Sequence, residues 1–304
     1  MLAASEKPTI AYLGPQGTYS HQAAYDRFGD LVCYEAKQTI TDVFSSLSSD
    51  LPLALIPYEN SIYGAVVETC NLLRYSAAGH QVFIRGDTTL CIQHCLIARP
   101  GVKLEDIQYV LSHEQALGQC KAFLEKYLPR ATLVTTDSTA SAALALLSGY
   151  ENLDPLKCSA ICSQVVLSMW NLSLISKNIQ DEHINFTRFY ILSWGANIKV
   201  PSITHDLPPS HALFRISHLV NPANIPPQPQ NLTCLLNALG LRVSQVDRRP
   251  STYSIPFHDV FFIETVREEG ILNGKEGSSW GEQVQRAVTR VEKAGGEICV
   301  LGTW

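Results

Sequence analysis

Two rhythms divide this chain, and the break between them constrains its fold more than any single motif does. Through the first two hundred residues, short aliphatic or β-branched runs alternate with helical stretches. Residues 10–13, 53–56 and 131–134 read as strands, and residues 82–84 and 90–97 read as extended. Residues 17–28, 65–75, 114–127 and 140–147 read as helices. In the third helix Ala116, Leu117, Cys120, Phe123, Leu124 and Tyr127 fall on one face. Such alternation is an α/β pattern. It fits a doubly wound single domain, and equally two lobes joined by crossing strands with a cleft between them. A late strand at 189–194 could return to the first lobe, which would set residues 185–189 at the hinge.

Pro201, Pro208 and Pro209 lie among small and polar residues at 196–209 and mark the boundary. Beyond it the order becomes strand 212–220, helix 232–239, strands 241–246 and 260–265, helix 283–291 and strand 298–301. A four-proline loop at 221–230 and a polar stretch at 266–279 interrupt that series. The βαββαβ order predicts one four-stranded antiparallel sheet with two helices on one face. If the other face is apolar it needs a cover, so a dimer or larger assembly is expected.

Composition narrows the function classes. With 17% charged and 46% hydrophobic residues in 304, the chain can build a large core. A net charge of -5 argues against a general nucleic-acid binder, though one arginine can still dominate a pocket. No secretory signal is evident at residues 1–8, and no run is long enough to cross a bilayer, so a cytoplasmic protein is expected. Nine scattered cysteines read as reduced thiols, and the three glycosylation-pattern matches as chance. No metal site is expected. Cys91 and Cys95 would point one way and His94 the other along a strand, while Cys158 and Cys162 sit in an expected turn-to-helix region without a histidine. His113-Glu114-Gln115 lacks the second histidine of a helical zinc pair.

Polar residues gather at strand-to-helix junctions. Gly14-Pro15-Gln16-Gly17-Thr18-Tyr19-Ser20 gives a sharp turn at Gly14 and then a helix start that can receive an anion. It is neither a dinucleotide fingerprint nor a P-loop. Pro57-Tyr58-Glu59-Asn60-Ser61 places an amide and a hydroxyl where a polar substrate could be oriented, with Glu59 as acid, base or ion-pair partner. Asp137-Ser138-Thr139-Ala140 repeats the arrangement with two hydroxyls. Asn185-Phe186-Thr187-Arg188-Phe189 adds a neutral hydroxyl, a cation that could hold a carboxylate, and an aromatic ring. No nucleophile elbow or activated cysteine is present, and His21 and His113 are possible acids or bases that read by default as satisfied core groups.

Together these motifs resemble the prephenate dehydratases that carry a C-terminal amino-acid-binding ACT domain. The resemblance runs from about residue 10 to residue 304 and is strongest at Thr187-Arg188-Phe189. It implies a bilobal catalytic domain like type II periplasmic binding proteins at 8–200 and an α+β βαββαβ ACT domain at 208–304. It also implies cofactor-free conversion of prephenate to phenylpyruvate, carbon dioxide and water. Thr187 takes the leading catalytic role by that likeness, with Thr18, Ser20, Asn60, Ser61, Ser138, Thr139, Arg188 and Phe189 around the substrate.

Feedback by L-phenylalanine bound between regulatory domains is a further implication, in a homodimer or homotetramer. The family's Glu-Ser-Arg-Pro effector stretch corresponds to Asp247-Arg248-Arg249-Pro250, with arginine where serine is usual. Its glycine-containing turn corresponds to His211-Ala212-Leu213. Two other readings remain: an arogenate dehydratase acting on the aminated analogue, and a sensor that binds without catalysing. The intact Thr187-Arg188-Phe189 favours an enzyme.

Overall fold

Apolar runs too short to be helices pair into two sheets, and the chain passes between them twice. The computed structural model describes residues 7–75, 77–182, 184–201, 208–219, 231–253, 256–268 and 279–304. The first lobe contains β1 (Thr9–Leu13), α1 (Tyr19–Phe28), β2 (Cys33–Lys37), α2 (Ile40–Ser45), β3 (Leu53–Asn60), β4 (Gly64–Ala65), α3 (Val67–Leu73) and β5 (Val82–Cys91). The second contains β6 (Cys95–Ala98), β7 (Tyr109–Ser112), α4 (Glu114–Gln119), α5 (Lys121–Tyr127), β8 (Thr132–Thr135), α6 (Thr139–Ser148), β9 (Cys158–Cys162), α7 (Val166–Met169) and β10 (Ser173–Lys177). The chain then returns to the first sheet as β11 (Phe186–Trp194), between β3 and β5. The two-lobed alternative is therefore the observed one, with Thr187 immediately after the second crossing.

Three local expectations change, each for a tertiary reason. Residues 90–97 are two strands in different sheets. Between them Ile92 N–H donates to Asn185 O and His94 N–H to Gln180 Oε1, so the outgoing crossing is tied to the returning one. The helix expected over 114–127 breaks at Cys120. There Asp181 takes over the free backbone groups, donating its N–H to Gln119 O and accepting from Ala122 N–H. The expected turn-to-helix around Cys158 and Cys162 is the strand β9, buried at all five positions between β6 and β7. A strand covered on both faces shows no alternation to read.

The C-terminal region is a separate α+β unit whose order is the expected one: β12 (His211–His218), α8 (Leu232–Leu239), β13 (Arg242–Pro250), β14 (Asp259–Val266), α9 (Trp280–Lys293) and β15 (Gly296–Thr303). Its four strands are antiparallel in the order β13-β14-β12-β15. Leu235 and Leu239 of α8 and Trp280, Val284, Ala287 and Val291 of α9 bury against one face. α9 begins earlier than expected because Ser279 and Glu282 close a reciprocal cap. The segments 202–207, 221–230 and 269–278, which include the four-proline loop, lie outside the described residues.

The second face of that sheet mixes apolar with charged residues, and its cover is the chain's own first lobe. Leu213, Phe262 and Leu301 share one cluster with Tyr58, Ile84, Tyr190 and Leu192. That corrects the expectation that a second copy is needed to cover it. The two sheets even join, since β15 pairs with β5 at Gly302 and Ile84. A Cβ on residue 302 would clash with the Ile84 carbonyl oxygen, so this approach requires glycine. Among the described residues no helix is long and apolar enough to cross a membrane.

Candidate active site

The carboxyl ends of β1, β3, β7 and β8 open on one cleft of about 640 Å³ between the lobes. This is where an open α/β sheet offers strand-end loops and helix starts to a ligand. Thr18, Tyr19 and Ser20 come from the start of α1, Ser138 and Thr139 from the start of α6, and His113, Gln115 and Ala116 from the start of α4. α1 and α6 are ten residues each, so their first-turn N–H groups form two anion-attracting ends on opposite lobes. No lysine or arginine is among the described residues that line the cleft.

The serine and threonine hydroxyls at those starts are partly spent on capping. Ser138 Oγ accepts from Ser141 N–H and meets Ser141 Oγ at 2.9 Å. Thr18 Oγ1 donates to Leu13 O and accepts from His21 N–H. Both residues line the cleft as expected, but as helix caps that aim backbone donors into it. The chain bends at Gly14, as expected, where it joins Pro15 through a cis peptide bond, and again at Gly17, whose φ is 95° and whose Cβ position lies 3.0 Å from Val166 of the second lobe. His21 is buried against Tyr12, accepts from Gly17 N–H and is kept from protonating by burial, so it is a core group.

Thr187 and Phe189 project into the cleft from β11, and Asn60 from the facing position on β3. Asn60 Nδ2 donates to Asn185 Oδ1 (2.8 Å), Thr187 Oγ1 (3.0 Å) and Phe186 O (3.1 Å). Its Oδ1 accepts from Ile62 and Tyr63 N–H, which fixes which end of the amide faces Thr187. The Thr187 oxygen is thereby an acceptor on one side, and its own proton is left to donate into the cleft. Nearly buried Asn185 was adjacent to the motif in the sequence, but only the strand pairing reveals its role as Asn60's anchor.

A second polar network lies across the cleft from these groups. His94 Nε2 meets Gln119 Oε1 at 2.7 Å, so that nitrogen carries the proton, and Nδ1 accepts from the Tyr19 hydroxyl. Burial depresses the His94 pKa and raises that of Tyr19, which keeps both neutral. Gln119 Nε2 in turn donates to the Tyr63 hydroxyl at 3.3 Å. In the sequence His94 stands out only as a candidate metal ligand, and Gln119 not at all. The i, i+4 pair Gln115 and Gln119 beside the apolar face of α4 was the available signal.

Two expected substrate contacts point elsewhere. Arg188 does not line the cleft. It lies on the opposite face of β11, where its Nε donates to Asp87 and its two terminal nitrogens to Glu264 of β14, all at 2.8 Å. Strand alternation forces this, because Thr187 and Phe189 already occupy the cleft side. Ser61 is outside the lining as well, its Oγ accepting from Phe186 N–H at 2.9 Å and so tying β11 to the β3 end. Glu59 also faces away and accepts from Gln245 Nε2.

The two expected effector segments lie on β12 and β13, with β14 between them. His211 is opposite Val266, whereas Asp247, Arg248, Arg249 and Pro250 are opposite Phe262 to Asp259. Ala212 and Leu213 are fully buried, while Arg248 reaches out to Asp259 at 2.8 Å.

Residues 10–196 match the prephenate dehydratase family. This chain belongs to that family. A bifunctional chorismate mutase/prephenate dehydratase of Aquifex aeolicus is 28% identical over all of this chain and 75% of its own length. The chloroplastic arogenate dehydratase/prephenate dehydratase 2 of Arabidopsis thaliana is 34% identical over 60% of this chain and 46% of its own length. The crystal structure of prephenate dehydratase in complex with L-Phe from Arthrobacter aurescens superposes with a TM-score of 0.71. It covers 97% of this chain and 89% of that one at 24% identity, so it speaks for the fold. Family membership makes the chain an enzyme of phenylalanine biosynthesis, a lyase that turns prephenate into phenylpyruvate.

Proposed function

We propose that the cleft drives this decarboxylating dehydration with the Thr187 hydroxyl as donor to the departing ring hydroxyl. In the reaction the bond to the ring carboxylate breaks, its electron pair enters the ring, and the hydroxyl at the far carbon leaves as water. Aromatisation supplies the driving force, so the protein's task is orientation and charge placement. Threonine is too weak an acid to deliver a proton unaided, so Thr187 acts through a hydrogen bond that strengthens as the leaving oxygen gains charge. The observation that carries the reading is that Asn60 donates to Thr187's oxygen, which leaves the threonine's own proton for a cleft with no lysine or arginine among its described lining residues.

A cleft of this kind suits decarboxylation. Helix starts hold a dianion by dipoles and N–H groups, and no guanidinium among the described lining residues pins the carboxylate that must shed its charge. Phe189 supplies an apolar wall for the ring. The proton that completes the water comes from solvent or from the neutral Tyr19-His94 pair. Incubating the protein with prephenate at neutral pH, and following phenylpyruvate above the spontaneous background, tests the activity. Equal background with and without protein would overturn it. The Arabidopsis relative, named for both dehydratases, makes arogenate the second substrate to run in parallel.

The finer architecture belongs to the same proposal: a type II periplasmic-binding-protein-like pair of lobes within 8–200 and an ACT domain at 208–304. The two crossings and the βαββαβ order support it. A phenylalanine site shared between copies in a homodimer or homotetramer is part of the proposal, since residues 211–213 and 247–250 lie on strands separated by β14 within one chain. Native mass spectrometry with a phenylalanine titration checks this. A monomer that binds no phenylalanine would remove it.

A further inference from the structure

The back of the catalytic strand pair is held by charged groups of the C-terminal sheet. At Arg188 and Phe189 the register of β11 against β3 shifts, so that Glu59 pairs with Arg188 and Pro57 with Phe189. The bulge leaves Tyr58 without a partner and turns two successive residues, Tyr58 and Glu59, toward the C-terminal unit. Tyr58 donates to Asp247, and Gln245 bridges Glu59 and Asp247. One residue beyond the catalytic threonine, Arg188 makes a two-pronged pair with Glu264, whose carboxylate also accepts from Tyr190. Asp87, the other partner of Arg188, accepts from the Trp304 indole, and Trp304 lies nearly parallel to His211.

The fronts of these strands carry Asn60 and Thr187, and their hydrogen bond spans one rung of the ladder. Resting on the reading of Thr187 as donor, we infer that Glu264 and Asp247 are positioning residues for it: they fix the backs of β3 and β11 and so set the Asn60-Thr187 geometry. The C-terminal unit is then a working part of the catalytic site as well as a place for an effector. Arg188 is suited to this because its planar fork fixes orientation as well as distance. A shift of about 1 Å in a reacting group can cost about a hundredfold in rate, so a small relaxation of this pair is visible in turnover.

The test measures steady-state phenylpyruvate formation by Glu264→Gln, Thr187→Ala and the double variant, with circular dichroism establishing that each is folded. Glu264→Gln should lower kcat about tenfold while KM moves less than about twofold. In the Thr187→Ala background the same change should leave the residual rate within about twofold, because its effect runs through the hydroxyl. An unchanged kcat for folded Glu264→Gln overturns the inference, as does a full tenfold loss in the absence of the hydroxyl. If Thr187→Ala keeps full turnover, the donor reading fails first and takes the inference with it. Should Glu264→Gln not fold, Tyr58→Phe decides, since it keeps the ring and removes only the contact to Asp247. A severalfold loss of kcat upholds the inference, and wild-type kcat overturns it.

Discussion

The two faces of β11 do opposite things with charge. Toward the cleft it shows Thr187 and Phe189, both uncharged, and the described lining has no lysine or arginine at all. Toward the C-terminal sheet it shows Arg188 and Tyr190, gripped by Asp87 and Glu264. A motif that reads as one unit in sequence is two devices in space. Chemistry that must let a carboxylate go is served by dipoles, and docking between units is served by full charges.

Removing the hydroxyl is the most drastic way to sharpen that contrast. Thr187→Ala should lower kcat by about two to three orders of magnitude, the usual cost of losing one donor to a developing oxyanion, with little change in KM. Equal losses in binding and turnover would show that the residue merely holds substrate.

Damage to the other face should appear first as instability. Glu264→Ala strands Arg188, leaving it only Asp87, and breaking such a buried pair typically costs about 3–5 kcal/mol. A thermal melt beside the wild type measures this, and an unshifted midpoint would mean that water replaces Glu264 without loss.

Placing a cation in the cleft, opposite that uncharged face, should blur the distinction. Gln115→Lys at the cleft wall should lower KM while lowering kcat several-fold, about 1 kcal/mol being moved from the transition state to the bound substrate. Improved kcat would contradict the case for a cleft that works without lysine or arginine.

The smallest effect is in the pH dependence of stability. Burial lowers the pKa of His94 from its unperturbed 6.5. Below that value the unfolded chain binds the proton more readily, so stability is complete above 6.5 and falls as pH drops toward the folded-state value. His21 is shifted in the same direction for the same reason. Replacing His94 by Gln should shallow the decline in melting temperature on acidification. An identical slope would assign the loss to other groups.

Where one periodicity governed a segment, the sequence was legible. Leu235 and Leu239, and Val284, Ala287 and Val291, fell where their spacing put them. The junctions carrying Thr18, Ser20, Asn60, Ser138, Thr139 and Phe189 do meet in one cleft. What escaped was decided by distant partners. β9 hides its period because both faces are covered, and the break at Cys120 depends on Asp181. Arg188 and Ser61 face away from the cleft, and residue type alone does not tell which side of a strand a residue faces. Only the pairing with β3 and β5 settles that.

The crossings at 92–94 and between Lys177 and Phe186 are tied to each other, and Thr187 is one residue beyond the second. A hinge rotation there would swing the starts of α4 and α6 through a long arc while the threonine, near the axis, barely travels. Admitting a bulky diene and keeping the reacting alcohol still are then compatible demands. In such a rotation the second lobe would be the moving jaw and the first lobe, with Thr187, the anvil.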